Sequence, residues 1–127
     1  MKICIYGAGS IGCYIGGRLA AVGADVSFIT RPRVYEELST SGLKLTDYTG
    51  KTIKIAANDL QLSVDPQIVK DADIIFVCVK SAATERVAKE LYDNLGAHRP
   101  YIVSFQNGLS NVPILKQILK HHSILEG

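Results

Sequence analysis

Near its amino terminus the chain reads Gly7-Ala8-Gly9-Ser10-Ile11-Gly12, a G-x-G-x-x-G spacing that also arises by chance. Its setting gives it chemical content. It follows the apolar run Ile3 to Tyr6 and opens a segment, Ser10 to Val22, in which Ile11, Tyr14, Ile15, Leu19 and Val22 recur at helical spacing. In such a strand–turn–helix, Gly7 permits the tight turn, Gly9 lets a pyrophosphate approach the backbone, and Gly12 lets the helix pack closely on the strand. The free N–H groups at the helix start then attract the anion. Gly7, Ala8, Gly9, Ser10, Ile11 and Gly12 are therefore the first candidate cofactor contacts, and Gly16 and Gly17 extend the small packing surface. The competing reading keeps the same turn but gives it no ligand.

Three further positions lie at the carboxyl ends of apolar runs, where open α/β sheets bind ligands. Phe28-Ile29-Thr30-Arg31-Pro32 puts a hydroxyl and a guanidinium where an NAD-binding domain normally carries Asp or Glu for the ribose hydroxyls. Arg31 stands 19 residues beyond Gly12, close to the usual interval of about 20. A carboxylate there would repel a 2′-phosphate, whereas arginine binds one bidentately, so the cofactor expected is NADP. Lys80 directly follows Ile74 to Val79 and faces the same crevice, unless it merely opens a helix at the surface. Ser104-Phe105-Gln106-Asn107-Gly108 ends a later run; Asn107 offers both a donor and an acceptor, against the plainer reading of an Asn-Gly turn.

Other reactive side chains are poorer candidates. His98, His121 and His122 have no partners at metal-ligand spacing, and the adjacent pair is expected to be solvated. Cys13 sits near a helix N-terminus, a place that lowers thiol pKa values, but no base or acid stands beside it in sequence. No metal site is expected.

These positions need a scaffold of alternating strands and helices, and the rest of the chain supplies one. Strands are expected at Ile3–Tyr6, Val26–Ile29, Ile74–Val79, Tyr101–Phe105 and Ser123–Glu126. Helices are expected at Ser10–Val22, Pro32–Ser39, Ser81–Leu95 and Asn111–Leu119. Between Gly42 and Ala57, Leu43 and Leu45 alternate with polar residues, as do Ile53 and Ile55, across Asp47-Tyr48-Thr49-Gly50; this predicts a hairpin or a pair of edge strands. Asp65-Pro66 begins a turn or a short helix. The fold class is α/β, a Rossmann-type doubly wound and mainly parallel sheet occupying residues 1–127 as one dinucleotide-binding domain.

The 127 residues leave room for one domain, and 47% hydrophobic with 20% charged residues excludes intrinsic disorder. Fourteen basic against twelve acidic residues give a scattered net charge of +2, which argues against nucleic acid as partner. Three cysteines, an odd number, fit a reducing compartment. With no signal-peptide pattern and no apolar run long enough to span a membrane, a soluble cytoplasmic protein is expected. The last run stops at Gly127, so a truncated chain is expected as well.

Taken in order, GAGSIGCYIGGRLA, FITRP, IIFVCVKS and VSFQNGLSN make the chain resemble the N-terminal domain of the ketopantoate reductase (2-dehydropantoate 2-reductase) family. The resemblance covers essentially the whole chain. It implies NADPH-dependent reduction of a 2-keto acid, 2-dehydropantoate, to pantoate in pantothenate biosynthesis. It also implies that Gly7 to Gly12 cradle the pyrophosphate and Arg31 holds the 2′-phosphate. Lys80 adds a cofactor contact, and Asn107 stands where cofactor and substrate meet. The family's proton-donating lysine belongs to a helical C-terminal domain absent here, so no catalytic residue is expected in this chain. A homodimer is a further expectation. The alternative function is a non-catalytic dinucleotide-sensing regulatory module, which usually keeps an acid where this chain has Arg31.

Overall fold

The computed structural model describes residues 1–106 and 108–127. From the amino terminus it runs β1 (Lys2–Tyr6), α1 (Ser10–Ala21), β2 (Asp25–Ile29), α2 (Pro32–Ser41), the strands β3 (Leu43–Thr46) and β4 (Thr52–Ile55), and β5 (Gln61–Ser63). It continues with β6 (Ile74–Val77), α3 (Thr84–Leu95), β7 (Tyr101–Ser104), α4 (Asn111–Ile118) and β8 (Ile124–Glu126). Six strands form one sheet in the order β5-β2-β1-β6-β7-β8, with parallel pairing throughout. This is the strand order of a doubly wound dinucleotide-binding sheet.

The period-two alternation of the central strands divides the core in two. Cys4, Tyr6, Ile29, Ile75, Val77 and Ile102 face α3 and α4, where Val87, Leu91 and Leu115 are fully buried. Ile5, Val26 and Phe28 face the other way, against α1, α2 and the β3–β4 hairpin. A sheet covered on both faces needs apolar residues at consecutive positions, which is why the middle strands read as unbroken apolar runs.

The helix α1 is thin where it must be. A Cβ at Gly16 would overlap the Phe28 ring, and one at Gly17 would overlap Leu45 of the hairpin. The expected hairpin is present, and its register sets Leu43 opposite Ile55 and Leu45 opposite Ile53. The strand β5 was not expected. Three residues with one apolar side chain carry no periodicity, yet β5 pairs with β2 and supplies the sheet edge. The run expected to extend to Val79 leaves the ladder after Val77, although the Cys78 N–H still donates to the Tyr6 carbonyl at 2.9 Å.

Candidate functional site

The chain leaves β1 for β2 on one side and returns through β6 on the other, so a crevice opens above the carboxyl ends of β1, β2 and β6. A cleft of about 430 Å³ lies there, lined by Gly7–Gly9, Thr30, Arg31, Val79 and Lys80, with Arg86 and Glu90 also in its wall. The structure thus brings five of the expected site residues together: Gly7, Ala8, Gly9, Arg31 and Lys80.

The glycines have separate tasks. Gly7 holds φ at +104°, a conformation side chains rarely adopt, and its N–H donates to the Ile29 carbonyl at 3.0 Å. Any Cβ on it would lie 2.7 Å from a Val79 methyl, so the turn after β1 is pressed against the loop after β6. Gly12 is buried beneath the turn, and a Cβ there would stand 1.9 Å from the Gly7 carbonyl oxygen. Gly9 is the opposite case, since a Cβ on it would meet nothing within 4 Å. That open space borders the cleft and the start of α1, which has no side-chain cap and no acidic residue in its first turn. Uncapped N–H groups facing free space suit an anion. Ser10 and Ile11 are exposed in that first turn and Gly12 is buried, so none of the three borders the cleft.

At the end of β2 the Thr30 N–H donates to the Ser63 carbonyl at 2.8 Å, tying the strand end to β5. Thr30 is 6% exposed, and its hydroxyl has no hydrogen-bond partner among the described residues. Arg31 follows, exposed, as the N-cap residue of α2, again without a side-chain cap bond. Among the described residues, neither Arg31 nor Lys80 makes an ion pair or a side-chain hydrogen bond. Two free cations therefore flank the glycine turn.

One wall was not expected from sequence. The Tyr6 hydroxyl donates to Glu90 Oε1 at 2.6 Å, and Arg86 Nη1 donates to the same oxygen at 2.9 Å. Burial, then the bond to Glu90 and its negative charge, push the Tyr6 phenol well above its ordinary range, so it stays protonated as a donor. A separation of 84 residues hides this pair from any local pattern. Asn107 lies outside the described residues.

Two of the side chains set aside as poorer candidates can be placed, and for one of them, His122, an expectation is corrected. The position of Cys13 near a helix start does not activate it, because burial pushes its thiol pKa up and its Sγ donates to the Ala8 carbonyl at 3.2 Å. His122 is not simply solvated, because it is half-buried and its buried Nδ1 has no partner among the described residues. Among the described residues, no group of His, Cys, Asp and Glu is placed to hold a metal, and no helix is long and apolar enough to cross a membrane.

Residues 3–127 match the model of the family described as ketopantoate reductase PanE/ApbA. The chain belongs to this family. A 2-dehydropantoate 2-reductase of Pyrococcus horikoshii is 34% identical over 111 residues, covering 87% of this chain and 34% of that one. The crystal structure of a PanE/ApbA family ketopantoate reductase from Ralstonia eutropha superposes with a TM-score of 0.86 at 32% identity, covering 99% of this chain and 40% of that one. D-mandelate dehydrogenase, solved with NADH and anilino(oxo)acetate, shares the fold with a TM-score of 0.79 at 22% identity, covering 100% of this chain and 40% of that one. The family is one of oxidoreductases, and this chain spans about a third to two fifths of the length of these relatives.

Proposed function

We propose that residues 1–127 are the dinucleotide-binding domain of a cytoplasmic 2-keto acid reductase that takes NADPH and reduces 2-dehydropantoate to pantoate. The observation that carries the cofactor assignment is at the end of β2. A guanidinium and a buried hydroxyl, both unpaired among the described residues, occupy consecutive positions where an NAD site would place a carboxylate. Gly7, Ala8 and Gly9, with Ser10 and Ile11 opening α1, present the backbone to the pyrophosphate, and Gly12 keeps the helix close beneath it. Arg31 holds the 2′-phosphate, Lys80 neutralises charge from the opposite rim, and Asn107 meets cofactor and substrate.

Bound there, the cofactor supplies a hydride to the keto carbon. The chain's own residues bind, orient and neutralise charge. Tyr6 is held protonated by burial and by its bond to Glu90, so it is no source of a proton at neutral pH. No general acid is assigned in this chain, and the substrate's identity rests on the names of its relatives. Family membership favours a reductase over a dinucleotide-sensing module.

Calorimetric titration with NADPH and NADH tests the cofactor reading, with NADPH expected to bind more tightly. Equal affinities, or tighter NADH, would overturn it. Oxidation of NADPH against a panel of 2-keto acids tests the rest. The 127-residue chain is expected to bind NADPH without turnover, and turnover by it would relocate the catalytic machinery.

A further inference from the structure

With the pyrophosphate at Gly7–Gly9 and the adenosine side at Arg31, the second nucleoside of a dinucleotide must lie over β6 and β7, on the far side of β1 from β2. Two segments border that region, 78–83 after β6 and, after β7, residues 105–106 and 108–110. A chain of part-buried hydrogen bonds, buried at its centre, joins them. Ser104 Oγ donates to Gln106 Oε1 at 2.8 Å. Gln106 Nε2 donates to the Val79 carbonyl at 3.0 Å and to the Thr84 hydroxyl at 2.7 Å. The Thr84 hydroxyl donates to Asn111 Oδ1 at 2.8 Å, and Asn111 Nδ2 donates to Ser81 Oγ at 3.1 Å and to the Gly108 carbonyl at 3.4 Å.

Donors and acceptors along this chain admit one direction only. Both amide hydrogens of Gln106 go to acceptors, so reversing its amide would set its oxygen against the Val79 carbonyl. Ser104, Thr84 and Asn111 are 3%, 0% and 1% exposed, so the Thr84–Asn111 bond at the centre is shielded from water, while the bonds of Gln106 and the one to Ser81 are part-buried. Packing alone does not require them, because Val87, Leu91, Leu115 and Leu119 already join α3 and α4 in the core. What the bonds add is a fixed separation between the backbone just before Lys80 and the residues on either side of position 107.

We infer that Gln106, Thr84 and Asn111 are positioning residues that set the nicotinamide half of the cofactor seat by locking the loop after β7 to the loop after β6. This rests on the dinucleotide reading of the cleft. The three residues act through the loops rather than through contact with the cofactor, and they leave the adenosine side untouched.

The test compares two ligands, NADPH and adenosine 2′,5′-bisphosphate, which fills the adenosine side only. Thr84→Val and Gln106→Leu keep volume and remove hydrogen bonds. Each is expected to weaken NADPH about tenfold and to leave the bisphosphate within about twofold. Thr84→Ser retains the hydroxyl and is expected to restore NADPH binding. Should the buried variants fail to fold, Ser81→Ala, at the exposed end of the chain of bonds, is expected to show the same pattern at about threefold. Equal losses for the two ligands, or unchanged NADPH binding in folded variants, would overturn the inference. If the unmodified protein binds neither ligand, the dinucleotide reading itself fails, and this inference with it.

Discussion

On the β2 side of the cleft, among the described residues, Arg31 has no side-chain partner, the Thr30 hydroxyl is buried and unpaired, and α1 and α2 both begin without side-chain caps. On the β6–β7 side, Ser104, Gln106, Thr84 and Asn111 are all hydrogen-bonded to one another or to neighbouring backbone. A buried polar group left unpaired costs about 1–3 kcal/mol, so the first side stores an unfavourable term that a ligand can relieve. On the second side these four polar side chains are committed to one another, which leaves Lys80 as the free group among the described residues there. On the proposed reading, the first side chiefly recognises and the second chiefly positions.

The glycine turn gives the largest expected effect and the sharpest way to break that division. Gly9→Val places a side chain in space that is empty in the fold, so the protein should stay folded and lose NADPH binding altogether. Gly12→Val drives a Cβ into the Gly7 carbonyl and should destabilise the fold itself, by roughly 3 kcal/mol or more. Thermal unfolding and NADPH titration on both variants separate the two. Normal NADPH binding by folded Gly9→Val would remove the pyrophosphate from this turn.

Arg31 comes next. A charge-assisted bond to phosphate is worth about 1.5–3 kcal/mol, so Arg31→Ala should weaken NADPH by about tenfold to a hundredfold and barely affect NADH. Arg31→Asp should go further, repelling the 2′-phosphate while giving the free ribose hydroxyls an acceptor, and the preference should move towards NADH. Lys80→Ala shows whether the second free cation shares the load, in which case the Arg31 effect falls at the low end. Equal losses of both cofactors on removing Arg31 would make it structural.

Thr30→Val refines the same contrast at smaller amplitude. The hydroxyl contributes nothing to the folded protein alone, so stability should hold or rise by up to about 1 kcal/mol. NADPH affinity should still fall, by about threefold to tenfold. A clear loss of stability with unchanged NADPH affinity would show that the hydroxyl is already satisfied by the fold.

The two sides also differ in how far sequence reveals them. On the recognising side, Gly7–Gly12 and Arg31 are contiguous or at a fixed interval, because one βαβ unit positions them. Their local pattern carries the geometry, and the alternating fold and the presence of the hairpin were legible for the same reason. The burial of Thr30 was not legible, because it depends on β5, whose sequence Gln61-Leu62-Ser63 has no alternation to notice. On the positioning side, Thr84 meets Asn111 across 27 residues and Gln106 meets Thr84 across 22. Such pairs exist only once two helices and a sheet are assembled, so no spacing announces them. Tyr6 and Glu90 were hidden in the same way.

The smallest effect concerns an unpaired polar atom away from the cleft. His122 precedes β8, and its nearest charged neighbours His98 and Arg99 precede β7, so all lie towards the amino ends of parallel strands, opposite the cleft. Its Nδ1 is buried without a partner, and burial first, then the charges of Arg99, His121 and His98, hold its pKa below the ordinary 6.5. The folded state therefore resists the proton that the unfolded state accepts. Stability contributed by neutral His122 is complete above about pH 6.5 and declines as pH falls towards the lower folded value. The melting temperature should fall slightly over that window, and His122→Gln should flatten this part of the profile. NADPH affinity should be the same in His122→Gln as in the unmodified protein, because no ligand at the opposite end of the sheet relieves this atom. A shift in NADPH affinity with His122→Gln would mean that unpaired polar atoms in this fold do not mark the binding side, and the reading of Thr30 would weaken with it.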